Sequence, residues 1–329
     1  MQDLFDSARV CVSSPYYALD DLRVLAPGYA EALVPCRHRT GQQELPISAA
    51  DAGRRLAVLG LCAAETARVS GASGASGEEA PYYLVRSLYA EYAPPSAWPE
   101  YAMTLVAEAG AGFHGYRHAF ADARLTGEFS DDTYVSARVE YDVLPAVLFE
   151  RMVPTQPVPA PAPVVGFRTP GPPSPALAGV SYDNCRVSAG MLITPELCAG
   201  HFDGRPVLPL TVAAAGLTAL VDHVVDGMTG GYAQRWAPRA MSVRADRMAG
   251  AGEWAVLGGI GEFREHGIRF RGEARVRGEV VSTLELDVVV SDGWQGARQL
   301  SYGTPASRRQ PSGRVSVPVP PGRAVGVGR

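Results

Sequence analysis

Gly200-His201-Phe202-Asp203-Gly204-Arg205-Pro206-Val207-Leu208-Pro209 runs directly into an apolar segment, Leu210 to Met228, whose spacing reads as a helix. A histidine followed by Gly204 and Pro209 describes a stiff turn that aims one imidazole. The two prolines fix φ, and Pro209 stands where a helix tolerates a missing N–H. An imidazole beside a helix N-terminus faces unpaired backbone donors, which suit a carbonyl or enolate oxygen. The stretch therefore reads as a small acid–base site.

Outward from this stretch, the chain reads as two halves of similar layout. A proline-rich run at 153–178 separates a unit at 1–152 from a unit at 179–303, and 304–329 reads as a disordered tail. In the second half, Val180–Ile193 is strand-like, the helix spans about 210–228, and strands follow near 236–248, 253–264, 268–278 and 280–291. In the first half, Tyr29–Cys36 is strand-like, a helix spans about 48–68, and strands follow near 82–92, 101–108, 116–128 and 133–144. Ala123-Arg124-Leu125-Thr126-Gly127-Glu128 echoes Ala274-Arg275-Val276-Arg277-Gly278-Glu279, and Val139-Glu140-Tyr141-Asp142-Val143 echoes Leu284-Glu285-Leu286-Asp287-Val288. His38 and Pro46 repeat the spacing of His201 and Pro209. Three matches in one order point to a duplicated α+β unit.

Composition removes whole classes of function. The chain has 329 residues, 47% of them hydrophobic, enough for a substantial core, and its net charge of −4 argues against a nucleic-acid surface. All 30 basic residues are arginine, so Schiff-base and P-loop lysines are excluded. Five cysteines without a CxxC spacing read as reduced thiols of a cytoplasmic protein. Charge interrupts the apolar runs, so no membrane span is expected. No nucleophile elbow, dinucleotide loop or metal spacing occurs, so neither cofactor nor metal is expected. Lysine-free, Ala/Arg/Gly/Pro-rich composition suggests a GC-rich bacterial genome.

The His201 stretch resembles the signature of hotdog-fold β-hydroxyacyl thioester dehydratases, His-Phe-Pro-Gly-x-Pro-x-x-Pro-Gly before a long central helix. His201, Phe202, Gly204, Pro206 and Pro209 match it, whereas Asp203 and Leu210 depart from it, and the family's acidic position falls on Ala215. Ala50-Asp51-Ala52 followed by Arg55 is similar to the Leu-Asp-Ala-x-x-Gln helix of polyketide synthase dehydratase domains, with Arg55 in place of Gln. The resemblance implies a double hotdog, in which two antiparallel sheets each wrap a long helix and join edge to edge. It pairs His201 of the later unit with Asp51 of the earlier one as catalytic residues. Gly204, Pro209, Leu210 and Arg55 become the expected substrate-binding set, with backbone N–H groups near Gly204 and Leu210 holding the thioester oxygen.

The implied substrate is an acyl thioester on an acyl carrier protein or coenzyme A, and the implied reaction is dehydration in bacterial natural-product biosynthesis. Alternatives are a cyclase or condensing enzyme of the pyran-forming or A-factor synthase type, a thioesterase using Asp51 or Glu65, and a scaffold that only binds acyl chains. Glu65 reads as solvent-facing, Tyr82, Tyr83, Tyr89 and Tyr92 as sheet core, and Arg235, Arg239, Arg244 and Arg247 as an exposed strand face or a basic patch for an acidic carrier. The oligomer would be a monomeric pseudo-dimer or a homodimer.

Overall fold

A computed structural model describes residues 10–13, 15–36, 42–71, 80–98, 104–153, 174–202, 204–231 and 235–291. The segment around His38, Asp203, most of the proline-rich run and the 304–329 tail lie outside these residues.

Two runs of elements follow the same order. The first comprises β1 (Asp20–Ala26), β2 (Tyr29–Pro35), helix α1 (Ala49–Gly71), β3 (Tyr82–Tyr92), β4 (Thr104–Phe113), β5 (His118–Gly127), β6 (Ser130–Leu144) and the short α2 (Ala146–Met152). The second comprises β7 (Leu177–Asp183), β8 (Arg186–Leu192), the one-turn α3 (Pro195–Cys198), helix α4 (Leu210–Thr229), β9 (Arg235–Ala245), β10 (Trp254–Arg264), β11 (Gly267–Val276) and β12 (Glu279–Ser291). Both long helices and the eight later strands sit within a few residues of their expected positions. The paired sequence words also fall in matching places, one at the β5 and β11 ends and the other on β6 and β12.

The strands form one antiparallel sheet of twelve, ordered β1-β2-β4-β5-β6-β3-β9-β12-β11-β10-β8-β7. The sheets of the two halves thus meet edge to edge and run on as one. The halves are continuous because β3 pairs with β9, with Ser87 opposite Arg244 and Tyr89 opposite Ser242. A ladder across the midline leaves neither central strand with an unpaired edge. Helix α1 packs on β2, β4 and β5, helix α4 on β8, β10 and β12, and the two helices touch each other. The main hydrophobic core runs through both halves, and a smaller cluster of Phe149, Phe202 and Val207 packs apart from it.

The caps follow from local chemistry. Ser48 Oγ accepts from the Asp51 N–H at 3.2 Å and so starts α1. Gly230, in the left-handed region at φ 66°, ends α4. Two β elements escaped the sequence reading. Val180–Ile193 is not one strand but the β7–β8 hairpin, turned by Asn184 and Cys185 at φ 46° and 65°. Such a two-residue turn needs positive φ at both positions, and Asn-Cys is a rarer solution than Asn-Gly. Because β7 begins at Leu177, strand starts inside the stretch assigned to the linker. Strand β1 was missed because two of its seven residues are aspartate and most of it is exposed.

Helix α4 is the one helix among the described residues with the length and hydropathy to cross a membrane. About two-thirds of its apolar window is buried inside the protein, which is where that composition is used here.

Close packing of α1 on the sheet yields a stability prediction. A Cβ at Gly60 would lie 2.6 Å from both Ala121 Cβ and Tyr141 Oη. Alanine gains about 1 kcal/mol of helix propensity there, but overpacking costs roughly 1–3 kcal/mol. Chemical denaturation of Gly60→Ala is expected to show a net loss of about 1–2 kcal/mol, and Gly60→Val a larger one.

Candidate active site

The His201 loop is built by local turns and clamped by the other half of the chain. Gly200 and Gly204 bracket the imidazole at φ 75° and 69°, a region that favours glycine. The His201 N–H donates to Cys198 O at 3.2 Å, and Leu208 N–H donates to Ala249 O at 2.8 Å. From the first half, Ser13 N–H donates to Gly200 O at 2.8 Å. Phe202 is buried edge-on against Phe149 of α2 and Tyr82 of β3, with ring centroids 4.9 and 5.5 Å away. Arg205 donates to the carbonyls of Glu150 and Val153 at the end of α2 and forms an ion pair with the Glu150 carboxylate. The loop is thus positioned by α2, some 50 residues upstream, and by more distant first-half residues, Ser13 and Tyr82.

His201 has a defined tautomer. Its Nδ1 lies 3.3 Å from Val207 O. A carbonyl only accepts, so Nδ1 carries the proton and the Nε2 lone pair is left for chemistry. Burial lowers the imidazole pKa to about 4, opposed only weakly by the Val207 carbonyl. The ring is therefore neutral near pH 7. Tyr16 of the first half lies against it at 4.8 Å between centroids, with its hydroxyl 2.9 Å from Thr211 Oγ1 on α4. Burial raises the Tyr16 pKa, so this phenol stays protonated.

His201, Tyr16, Val207, Leu208, Leu210 and Ala213 line a cleft of about 720 Å³ between the halves. Helix α4 opens at this cleft behind Pro209, which provides no capping side chain. The N–H groups of Leu210 and Thr211, in its first turn, find no acceptor among the described residues. The nearby Cys198 thiol is pushed up to about 12, chiefly by burial, and is no nucleophile at neutral pH.

Of the residues expected at the site, His201 and Leu210 line the cleft, whereas Gly204, Pro209, Asp51 and Arg55 do not. Asp51 is held by Arg54, whose Nε donates at 3.0 Å, and by Arg55, whose Nε donates at 3.0 Å. Burial alone would raise the carboxyl's pKa, but the two guanidiniums outweigh it and the net shift is downward. An acid catalyst needs the opposite shift. Arg54 also donates to the carbonyls of Pro15 and Tyr16, so the ion cluster stands behind Tyr16 and fixes it. Arg55, expected to touch substrate, is buried and donates to Ala18 O.

Glu65 is a second correction. It is 2% exposed rather than solvent-facing, and it binds Arg68 and the Tyr83 hydroxyl, each at 2.7–2.8 Å. Tyr89, expected in the core, is 47% exposed, and Tyr82 packs on the His201 loop. Arg244 and Arg247 are paired with Asp246 and Glu279, which neutralises half of the anticipated basic patch. Tyr16, Thr211 and Arg205 were missed because nothing in their spacing marks them. Tyr16 lies in a stretch with no periodicity, and its role comes from a contact 185 positions along the chain.

No family model matches the chain, and no curated protein matches it. Solved structures do. A tesB protein of Mycobacterium avium subsp. paratuberculosis superposes with a TM-score of 0.51 at 15% identity, over 82% of this chain and 96% of that one. A hot dog fold protein of unknown function from Alicyclobacillus acidocaldarius gives 0.49 at 14% identity, over 85% and 99%. An acyl-CoA thioesterase II, TesB2, from Mycobacterium marinum gives 0.44 at 11% identity, over 83% and 95%. At such identities the likeness is one of fold, and the chain has the hotdog fold.

Two acid-stability effects follow. The folded-state pKa of His201 is depressed to about 4, whereas an unfolded histidine titrates near ~6.5. Between these values the unfolded chain binds the extra proton, so stability falls as pH is lowered through this window, by up to about 1.4 kcal/mol per pH unit. Above it the term is zero. Urea titrations from pH 4 to 8 should show a shallower slope for His201→Asn than for the wild type. Asp51 acts at lower pH, since its stabilisation is full above the ordinary carboxylate range and is lost as pH falls through the depressed value. Asp51→Asn leaves two buried guanidiniums uncompensated, and denaturation at pH 7 should show a loss of about 3–5 kcal/mol.

Proposed function

We propose that the chain is a double hotdog, with repeated units at 1–152 and 179–303, and that its cleft hydrolyses an acyl thioester presented on a carrier protein or coenzyme A. The supporting observation is a neutral imidazole in a cleft lined also by Leu210 at the head of α4, where, among the described residues, the first helix N–H groups have no acceptor and no protonated carboxyl stands beside the ring. Water adds to the thioester carbon while His201 Nε2 takes its proton. The oxygen that becomes an alkoxide accepts from the N–H groups of Leu210 and Thr211. The tetrahedral adduct then collapses, the C–S bond breaks, and the imidazolium returns its proton to the departing thiolate.

The leaving group favours hydrolysis over dehydration. A thiolate, conjugate to an acid of pKa near ~8.5, departs without prior protonation. Dehydration expels hydroxide and needs an acid at the β-oxygen. Asp51 is ionised, and among the described residues the carboxylates that line the cleft, Asp142 and Asp246, bind His118 and Arg244. In this reading Asp51 is a positioning residue that acts through Arg54 on Tyr16. A second reading is dehydration with the protonated Tyr16 hydroxyl as acid. It is favoured by the matches at His201, Phe202, Gly204, Pro206 and Pro209 and by the Tyr16–His201 ring contact.

The two are separated by incubating the protein with acyl and β-hydroxyacyl pantetheine thioesters. Free thiol reports hydrolysis, and ultraviolet absorbance of the conjugated enoyl thioester reports dehydration. His201→Asn should lower kcat/KM for thiol release by about 10²–10⁴. Because the base titrates at about 4, the wild-type rate should stay level from pH 8 down to about 5. A rate that halves near pH 6.5, or survives the loss of His201, would remove this histidine as the base. Enoyl formation without thiol release would select the second reading.

A further inference from the structure

Resting on the reading of the cleft as an acyl-thioester site, we infer that the acyl group it takes carries a second, distal carboxylate, gripped by Arg86 and Ser282. Three observations converge on these residues. Both line the cleft that holds His201. Ser282 is 2% exposed, yet its Oγ has no hydrogen-bond partner. Leaving a buried hydroxyl unpaired costs about 1–3 kcal/mol, which a bound acceptor would relieve. Arg86 has neither ion pair nor hydrogen bond among the described residues, although the other charged groups lining the cleft are paired: Asp142 with His118, Asp246 with Arg244, and Arg247 with Glu279.

The sheet puts the two groups in one row. Ser282 lies opposite Ala245 on β9, and Ser87 of β3 lies opposite Arg244. The register slips between Val85 and Ser87, so Arg86 is the bulge residue, level with Ala245 across the β3–β9 junction. Arg86, Ala245 and Ser282 therefore cross three adjacent strands, with backbones about 10 Å apart at the ends. Ala245, in the middle, also lines the cleft and leaves room above itself. One guanidinium and one hydroxyl across a small-residue floor match a monoanion. A phosphate, at nearly two charges, would call on a second free cation, and Arg247 is already engaged. Arg86 contributes a planar fork suited to a carboxylate, and Ser282 contributes one O–H donor.

The test measures binding to the His201→Asn protein, which holds substrate without turning it over. The probes are ω-carboxyacyl pantetheine thioesters from succinyl to suberyl, their methyl esters, and butyryl phosphopantetheine. At least one acid should bind tenfold or more tightly than its own ester. That gain should disappear in Arg86→Met and shrink severalfold in Ser282→Ala, and free glutarate should compete for it. Equal binding of acids and esters, absence of binding by all probes, or a gain that persists in both variants overturns the anchor. So does a gain confined to the phosphate probe, which would assign Arg86 to the pantetheine arm. Thiol release from the neutral esters by the wild-type protein reports separately on the hydrolytic reading. Anion binding without turnover would end that reading and leave the anchor standing.

Discussion

The ladder between β3 and β9 is the constraint on which the remainder depends. It turns two curved units into one sheet and fixes which loops face each other across the midline. With Ser87 opposite Arg244, the β3 bulge, the end of β9 and the start of β12 fall level, and they form the floor of the cleft. The His201 loop closes over it, held by Phe149, Tyr82 and the Arg205 contacts from the first half. A shift of one residue in this register would turn the floor residues over to the opposite face.

Electrostatics in and around the cleft illustrates how partners decide the outcome of burial. His201 and Asp51 are both withdrawn from water. Among the described residues the imidazole meets a carbonyl and aromatic rings, so desolvation prevails and the ring is neutral. The carboxylate meets two guanidiniums and remains charged. Burial therefore yields a neutral imidazole at one position and a fixed anion at the other. The fixed anion has a use: it organises Arg54, which holds the backbone on which Tyr16 is mounted.

Much of the fold was legible along the chain. Helices α1 and α4 carry long runs of helix-forming residues, and strands β3 to β6 and β9 to β12 alternate with period two, so local pattern and final structure agree. Legibility failed where the deciding quantity is not local. The Asn184-Cys185 turn shows no glycine, β1 has little buried surface to reveal itself, and Glu65 looks like any helix-surface acid until Tyr83 and Arg68 close over it. For the site, the glycine–proline frame marked His201, since those residues restrict φ wherever they stand. Its aromatic neighbour did not announce itself, because a tyrosine in an irregular segment carries no pattern.

By itself the amino-acid order determined a repeated strand–helix–strand plan, the absence of lysine chemistry and the imidazole at the head of α4, because these rest on periodicity, composition and backbone restriction, all properties of neighbouring residues. Tertiary structure alone decided which strands join the two halves and in what register, that Tyr16 rather than Asp51 stands against His201, and that Arg86 and Ser282 lie in one row. Those outcomes depend on pairings between residues far apart in the chain, where packing and the balance of buried charge select among alternatives that local sequence leaves equal.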